Sequence, residues 1–407
     1  MNIRIFFFCL LSSLFLGTKS YGQKQLILTV NAGDYNRNES VVSADVSVLG
    51  TDVDLYEIVG KKKIKTACQV DEDGILHWVL SGKTASGVTR TYLVKRTKKK
   101  DTSRGDMQTI NNGKALILKN GDTEILHYNY ATVYPPEGVD PAYQRSGFIH
   151  PAYSPKGNVL TAIQPKDHYH HYGIWNPWTR VEYEGKVYDL WNLRDKQGTV
   201  RARDIRTTYN GDVFNGYAAN LDHYIFTAVN EKVIMNEVWN VKAWNVTGGL
   251  LWDFESVLSP STALPVLIKA YRYAGFGWRA TQEWTKENCE MFTSEGKTRQ
   301  EIDGTNARWI YVTGQCGENG RSGFLVMGSP ENYNAPEPLR IWDEKANGGR
   351  GDAFVNFAPT KNEDWLLNSG NKYRLRYRIF TFDGEMTKGR AESLWNDFAY
   401  PPEVKIK

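Results

Sequence analysis

KALILKNGDTEILHYNY, residues 114–130, holds Asn120-Gly121 between two runs that alternate apolar and polar side chains. An Asn-Gly link tolerates the positive φ angles of a two-residue turn, which makes it the strongest short-range signal for a β-hairpin. Alternation with a period of two is the pattern of a strand with one buried face. Working outward, the same pattern returns in QLILTV (25–30), DLYEIV (54–59), ILHWVL (75–80) and RTYLVKR (90–96). It returns again in NEVWNVKAWNV (236–246), LLWDFESVL (250–258), ARWIYVTG (307–314), SGFLVMG (322–328) and NKYRLRYRIFTF (371–382). The last of these predicts a solvated face carrying Arg374, Arg376 and Arg378. Only AESLWNDF (391–398) reads as a helix, with Pro401 beyond it. The fold class is therefore all-β. A small immunoglobulin-like sandwich over 23–100, without that fold's paired cysteines, precedes a large antiparallel β-sandwich over 107–400. TKKKDTSRGD (97–106) reads as the linker, and no internal period calls for a propeller.

Residues 1–22 are set apart from the fold. Arg4 precedes an apolar run, Ile5 to Leu16, and Ser20-Tyr21-Gly22 supplies small residues at the end. This is the pattern of a secretory signal peptide cleaved before Gln23, so a periplasmic or secreted protein is expected. No later stretch has the length of a membrane span. With 50 basic against 46 acidic residues, charge does not advertise nucleic acid or anionic membrane as a partner. Three cysteines follow the leader, and Cys289 with Cys316 is the pairing considered for a disulfide. Aromatic residues make up 13% of the chain. That suits β-sheets, and it suits a carbohydrate ligand whose C–H faces stack on rings.

Chemistry concentrates in FIHPAYSPKGNVLTAIQPKDHYHHYGIWNPW, 148–178, which contains His150, His168, His170 and His171, four of the seven histidines. Its prolines and glycines exclude a long helix, leaving short strands and turns. In an extended backbone His168 and His170 share a face and His171 takes the other. A lone histidine reads best as a buried hydrogen-bonder. Four together read as a site, because packing gives no reason to gather imidazoles that each need a partner. The reading has His150 near 168–170 in one cleft, with His171 behind or entering through a bulge. The same set offers a metal alternative, a divalent ion held by His168 and His170 with a third imidazole and a carboxylate.

The segments HPAYSPKGNVLT (150–161), PKDHYHHYGIW (165–175), YAGFGWRA (273–280), ARWIYVTG (307–314) and VNFAP (355–359) resemble, in this order, the bacterial family labelled "methane oxygenase PmoA-like". The resemblance covers about residues 107 to 385. The label implies copper-dependent oxidation. What the resemblance implies for an exported chain without spans is a β-sandwich and work on carbohydrate in polysaccharide-degrading bacteria. The matching positions are His150, Asp167, His168, His170, His171, Gly173 and Arg279. The sequence departs from the family after Trp309, where Ile310 and Tyr311 stand in place of an acidic residue. The histidine stretch is also loosely similar to the His-x-His-Gly-Gly turn of aldose mutarotases.

No phosphate loop, dinucleotide fingerprint or nucleophile elbow is present. Histidine, tyrosine and arginine are the parts required for β-elimination on a uronic acid. Arginine neutralises the carboxylate, one neutral base removes the C5 proton, and a second group protonates the departing oxygen at C4. The catalytic candidates are His150, His168, His170 and His171. The substrate-binding candidates are Arg145, Asp167, Tyr172, Trp175, Arg272 and Arg279. An exported lyase or dehydratase acting on an acidic oligosaccharide or polysaccharide is the leading reading. A glycoside hydrolase, a mutarotase, or a carbohydrate-binding protein with a structural metal is the alternative. A hydrolase would draw two carboxylates from Glu182, Glu184, Asp189, Glu237, Asp253, Glu255 and Glu283, among which the sequence selects no pair.

Overall fold

The computed structural model describes residues 24–97, 105–318 and 320–407. The expected signal peptide lies outside the described residues, as does 98–104 of the expected linker. The fold is all-β.

Near the N-terminus, Gln25–Asn31, Val53–Val59, Lys62–Thr66 and Thr89–Arg96 join a five-stranded sheet. Arg37–Asp45, Gln69–Val70 and Ile75–Thr84 form a three-stranded partner. Alternate residues of the two meet in one core that includes Leu28, Leu55, Leu76, Trp78 and Val94. The fifth strand of the larger sheet is Glu403–Ile406, which pairs Leu28 with Ile406 and Val30 with Val404. This strand lies beyond 107–400, the span read for the large sandwich. Gln25–Asn31 would otherwise present an open edge, and the returning strand covers it.

The rest of the chain builds two eight-stranded sheets packed face to face and a four-stranded sheet of Lys186–Tyr188, Val181–Tyr183, Val266–Ile268 and Trp365–Leu367. One runs, in spatial order, Gly198–Tyr209, Phe214–Phe226, Glu231–Trp244, Leu250–Pro260, Tyr373–Asp383, Arg321–Gly328, Trp309–Gln315 and Cys289–Thr293. The other runs Leu339–Ile341, Phe354–Phe357, Gly277–Arg279, Ile174–Trp175, Phe148–Ala152, Thr123–Asn129, Ala115–Asn120 and Met107–Asn111. Trp239, Trp252, Phe254 and Tyr377 from the first meet Leu116, Leu126, Ile149, Ile174 and Trp278 from the second in a single core. The hairpin of 114–130 forms as read, with Asn120 opposite Thr123 and Gly121 at φ 56°. A helix spans Lys388–Ala399 and is capped by the Thr387 side chain, which accepts from the Arg390 N–H.

Two expectations change here. Arg374 is solvated, but Arg378 is only 7% exposed and grips Asp253 through two hydrogen bonds of 2.6 and 2.8 Å. Phe398 of the helix covers its guanidinium, so this end of the strand is capped on its polar face. Cys289 and Cys316 are free thiols; Cys289 stands opposite Gly314 in the ladder, one alternate position short of Cys316. Among the described residues, no helix is long and apolar enough to cross a membrane.

Candidate active site

The second sheet positions the histidines. Phe148–Ala152 pairs with Ile174–Trp175, two inner strands of that sheet, and the chain between them makes the return. Gly173 sits at φ 56°, and a Cβ there would lie 2.2 Å from the Ile149 carbonyl oxygen, so only glycine permits this approach. The return is held by isolated bridges Tyr153 to Val159, Thr161 to Ala280 and Ile163 to Tyr172.

Between Ile163 and Tyr172 the backbone makes two successive turns rather than a strand. The His168 N–H donates to the Pro165 carbonyl (2.9 Å), and the His171 N–H donates to the His168 carbonyl (2.9 Å). The Gln164 N–H closes the loop on the His171 carbonyl at 2.8 Å. The expected alternation of faces is therefore corrected. All three rings converge, with centroids 5.4 Å apart for His168 and His170, 4.8 Å for His168 and His171, and 4.8 Å for His170 and His171.

They line a cleft of about 570 Å³. His171 is its floor, stacked on Phe354 (5.1 Å) and tilted against Trp175 (5.0 Å). Trp342 covers His168 at 4.6 Å. Trp191 and Tyr273 form a further aromatic wall, while Arg272, Arg340, Lys345, Asp303 and Asp343 supply charge. One whole wall of this lining, Arg340 to Asn347, comes from Leu339–Ile341 and the loop after it, which the sheet order brings beside Gly277–Arg279 and Ile174–Trp175.

Asp167 organises the titratable groups. One of its oxygens lies 2.7 Å from His168 Nδ1 and 3.1 Å from the Arg279 guanidinium. The Asn347 amide donates to the same oxygen at 2.9 Å, from a left-handed backbone at φ 52°. Burial works against this carboxylate. The His168 hydrogen bond and the Arg279 charge outweigh it and hold its pKa well below the usual range. Arg279 is 1% exposed, lies over the Trp342 ring at 4.7 Å and approaches His171 Nδ1 at 3.4 Å. A guanidinium can only donate, so Nδ1 is the unprotonated nitrogen of His171 in that contact. Burial, joined by the neighbouring charges of His168 and Arg145, pushes His170 down to about 3. Burial also takes His171 well below its ordinary value, with His170 and Arg279 adding to it. Both rings are neutral at physiological pH.

The remaining candidates fall elsewhere. His150 is not part of the cleft lining. Its Nδ1 pairs with the Thr161 hydroxyl at 2.8 Å, and burial with the His127 charge lowers it to about 4. This corrects its grouping with 168–171: it faces the return of its own hairpin. The Tyr172 hydroxyl donates to the Tyr143 carbonyl and accepts from Gln164, and Trp175 is packed among His171, Trp191 and Phe354, so neither lines the cleft. Arg145 is 2% exposed, and its three side-chain nitrogens have no hydrogen-bond partner among the described residues. It too lies outside the lining, whereas Arg272 is part of it. None of the carboxylates considered for a hydrolase lines the cleft. Glu182 pairs with Lys269, Glu184 with Lys232, Asp253 with Arg378 and Glu255 with Arg374. Asp189 caps the turn at Trp191 and Asn192, Glu237 is sealed in the core against His223, and Glu283 is not among the lining residues. Among the described residues, no group of three or more His, Cys, Asp or Glu side chains is placed to hold a metal ion.

Two solved structures are distantly similar to this chain. One is a galactose mutarotase related enzyme from Lactobacillus acidophilus, at 10% identity and TM-score 0.34, covering 69% of this chain and all of that one. The other is the Slr1438 protein of Synechocystis sp. PCC 6803, at 10% identity and TM-score 0.30, covering 71% of this chain and all of that one. At these values they speak to neither reaction nor substrate. No curated protein matches. None of these matches bears the PmoA-like label that the motifs resemble. A family model does match residues 115–396, the whole span that carries the cleft, and the chain belongs to that family, a family of unknown function (DUF6807).

Proposed function

We propose that the chain is an exported carbohydrate-active enzyme that moves protons at a sugar ring through His168. The observation that carries this reading is the Asp167–His168 pair on an aromatic cleft. With Nδ1 held by the carboxylate at 2.7 Å, the ring presents Nε2 as its free basic nitrogen. His168 is 31% exposed, so substrate can reach it.

The reaction that best fits the lining is β-elimination on a uronic-acid-containing oligosaccharide. Arg272 neutralises the sugar carboxylate, which makes the C5 proton acidic enough to remove. His168 Nε2 takes that proton, the C4–C5 double bond forms, and the C4–O bond breaks. Tyr273, whose hydroxyl lies 2.9 Å from the Asn192 amide, donates its proton to the departing oxygen. Burial raises the Tyr273 pKa, so it stays protonated for that step. A sugar leaving makes the enzyme a lyase; water leaving from a terminal residue makes it a dehydratase. A second reading, hydrolysis, is favoured by one observation: Asp303 and Asp343 both line the cleft. The part over 23–100 is read as an accessory unit, and the mature chain as starting near Gln23 outside the cytoplasm, which N-terminal sequencing of the native protein checks.

The test is incubation of the mature protein with polyuronic oligosaccharides while the ultraviolet absorbance of an unsaturated uronate is followed. A rise that His168→Ala abolishes supports elimination. New reducing ends without the rise assign a hydrolase, and anomeric exchange alone, seen by NMR, assigns a mutarotase. Binding with no chemistry overturns the enzymatic reading.

A further inference from the structure

Part of the cleft wall carries more positive charge than a single sugar carboxylate requires. Arg340 reaches Asp303 at 2.8 Å, and Lys361 reaches the other oxygen of Asp303 at 3.9 Å from behind. Lys361 also donates to the Arg272 carbonyl at 3.2 Å, which ties it to the base of that arginine. Two cations thus share one carboxylate, and Arg272 adds its charge to theirs through Lys361. The Lys361 side chain is only 13% exposed. Burial pulls its pKa down, Asp303 works the other way, and Arg340 and Arg272 pull it down further. Gathering like charges in a half-buried place opposes folding unless something anionic occupies it. Among the described residues, no carboxylate lies within ion-pair distance of Arg272, which instead rests over the rings of Tyr271 and Tyr273.

Position separates this cluster from the histidines. Arg340 and Trp342 are alternate residues on one extended segment, whose ladder continues through the Trp342 N–H to the Phe354 carbonyl. They therefore share a face about 7 Å apart. Trp342 is the ring that covers His168. Arg340 thus stands one backbone step along the cleft wall from the ring that covers His168.

We propose that Arg340 and Lys361, arranged about Asp303, form an oxyanion subsite for a sulfate or phosphate ester on the sugar, with Arg272 left to the sugar carboxylate. The substrate class is then a uronic-acid-containing oligosaccharide that also carries a tetrahedral ester. This inference rests on the reading of the cleft as a sugar site. Guanidinium forks match such esters geometrically, and the ammonium adds charge behind them. Asp303 has the role of holding Arg340 in place and competing with the ester for it.

The experiment titrates the mature protein with sodium sulfate, sodium phosphate and sodium acetate at fixed ionic strength. The readout is the emission of tryptophan, since Trp191 and Trp342 line the cleft. A saturable change with sulfate or phosphate is expected, with acetate at least about tenfold weaker; the stronger of the two identifies the ester. Arg340→Gln and Lys361→Met should each weaken the response about tenfold. Asp303→Asn should strengthen it, which a merely structural Asp303 would not do. His168→Ala should keep the anion response while losing turnover, so the subsite and the proposed reaction fail separately. No saturable change overturns the proposal. So does a response unaltered in both Arg340→Gln and Lys361→Met, or one lost in His168→Ala.

Discussion

Two histidine–carboxylate pairs in the large sandwich have almost the same geometry and opposite surroundings. His168 and Asp167 meet at 2.7 Å on the cleft, with side chains 31% and 32% exposed. His223 and Glu237 meet at 2.8 Å in the core, with both side chains 0% exposed. Glu237 is further fixed by the Asn176 amide at 2.7 Å and by the Ser256 hydroxyl. The core pair touches no solvent and has no space for a substrate. The distance between partners does not mark the candidate catalyst; access to the far side of the imidazole does. The same bond holds a proton-transfer group ready in one place and satisfies a buried acid in the other.

The largest effect that separates the pairs is on stability. His223→Ala leaves Glu237 buried without its ring partner and should cost about 3–5 kcal/mol in chemical denaturation, with turnover per folded molecule unchanged. His168→Ala should do the reverse, lowering turnover about 100-fold with little change in the denaturation midpoint. If His223→Ala folded well and lost turnover as His168→Ala does, access would not be the distinguishing property. A smaller effect sharpens the role of the carboxylate. Asp167→Asn keeps the shape but no longer selects the Nδ1–H tautomer, and should lower kcat about tenfold or more with KM little changed. An equal rise in KM would place Asp167 among substrate contacts instead.

How much of this was legible follows from the physics of each element. The 114–130 hairpin could be read because a period of two and an Asn-Gly turn are both local properties. The histidine concentration could be read because it is a matter of composition. Its geometry could not: the prolines and glycines of 148–178 permit a strand or paired turns alike, and the distant bridge of Thr161 to Ala280, beside that of Ile163 to Tyr172, selects the turns. The other cleft wall was missed for a topological reason. Arg340, Trp342 and Asn347 lie more than a hundred residues downstream, and only the sheet order sets them beside the histidines. The one local sign was Trp342 between charged residues ahead of the glycine-rich run GGRG, 348–351. His150 was drawn into the cluster by chain proximity, but a hairpin return can turn a side chain onto its own loop, and here it pairs with Thr161.

The smallest effect concerns pH, and it tests whether burial or use keeps the cleft histidines neutral. Burial first, then the charges of His168 and Arg145, sets the folded pKa of His170 at about 3, against an ordinary value of 6.5. Below pH 6.5 the unfolded chain binds a proton at this position and the folded chain does not. Protonation therefore favours the unfolded state, and stability must fall as pH drops from 6.5 toward 3, by about 1 kcal/mol per pH unit once well below 6.5. Asp167 acts in a different window. Its folded pKa is depressed, so its contribution is present above the unfolded value of 3.8 and fades only as pH falls below it. The two therefore separate between pH 6 and 4; Glu337, raised by burial to about 7, also titrates there with the opposite sign, so the effect of His170 is read as the difference from the unaltered protein. Replacing His170 with Gln, which cannot protonate, should flatten the slope of stability against pH in that range by the proton uptake of one histidine. Urea denaturation at half-unit steps of pH measures it. An unchanged slope would mean that the His170 ring protonates freely in the folded cleft, as an exposed general acid or base would, and the division of labour between a working His168 and a buried His170 would have to be redrawn.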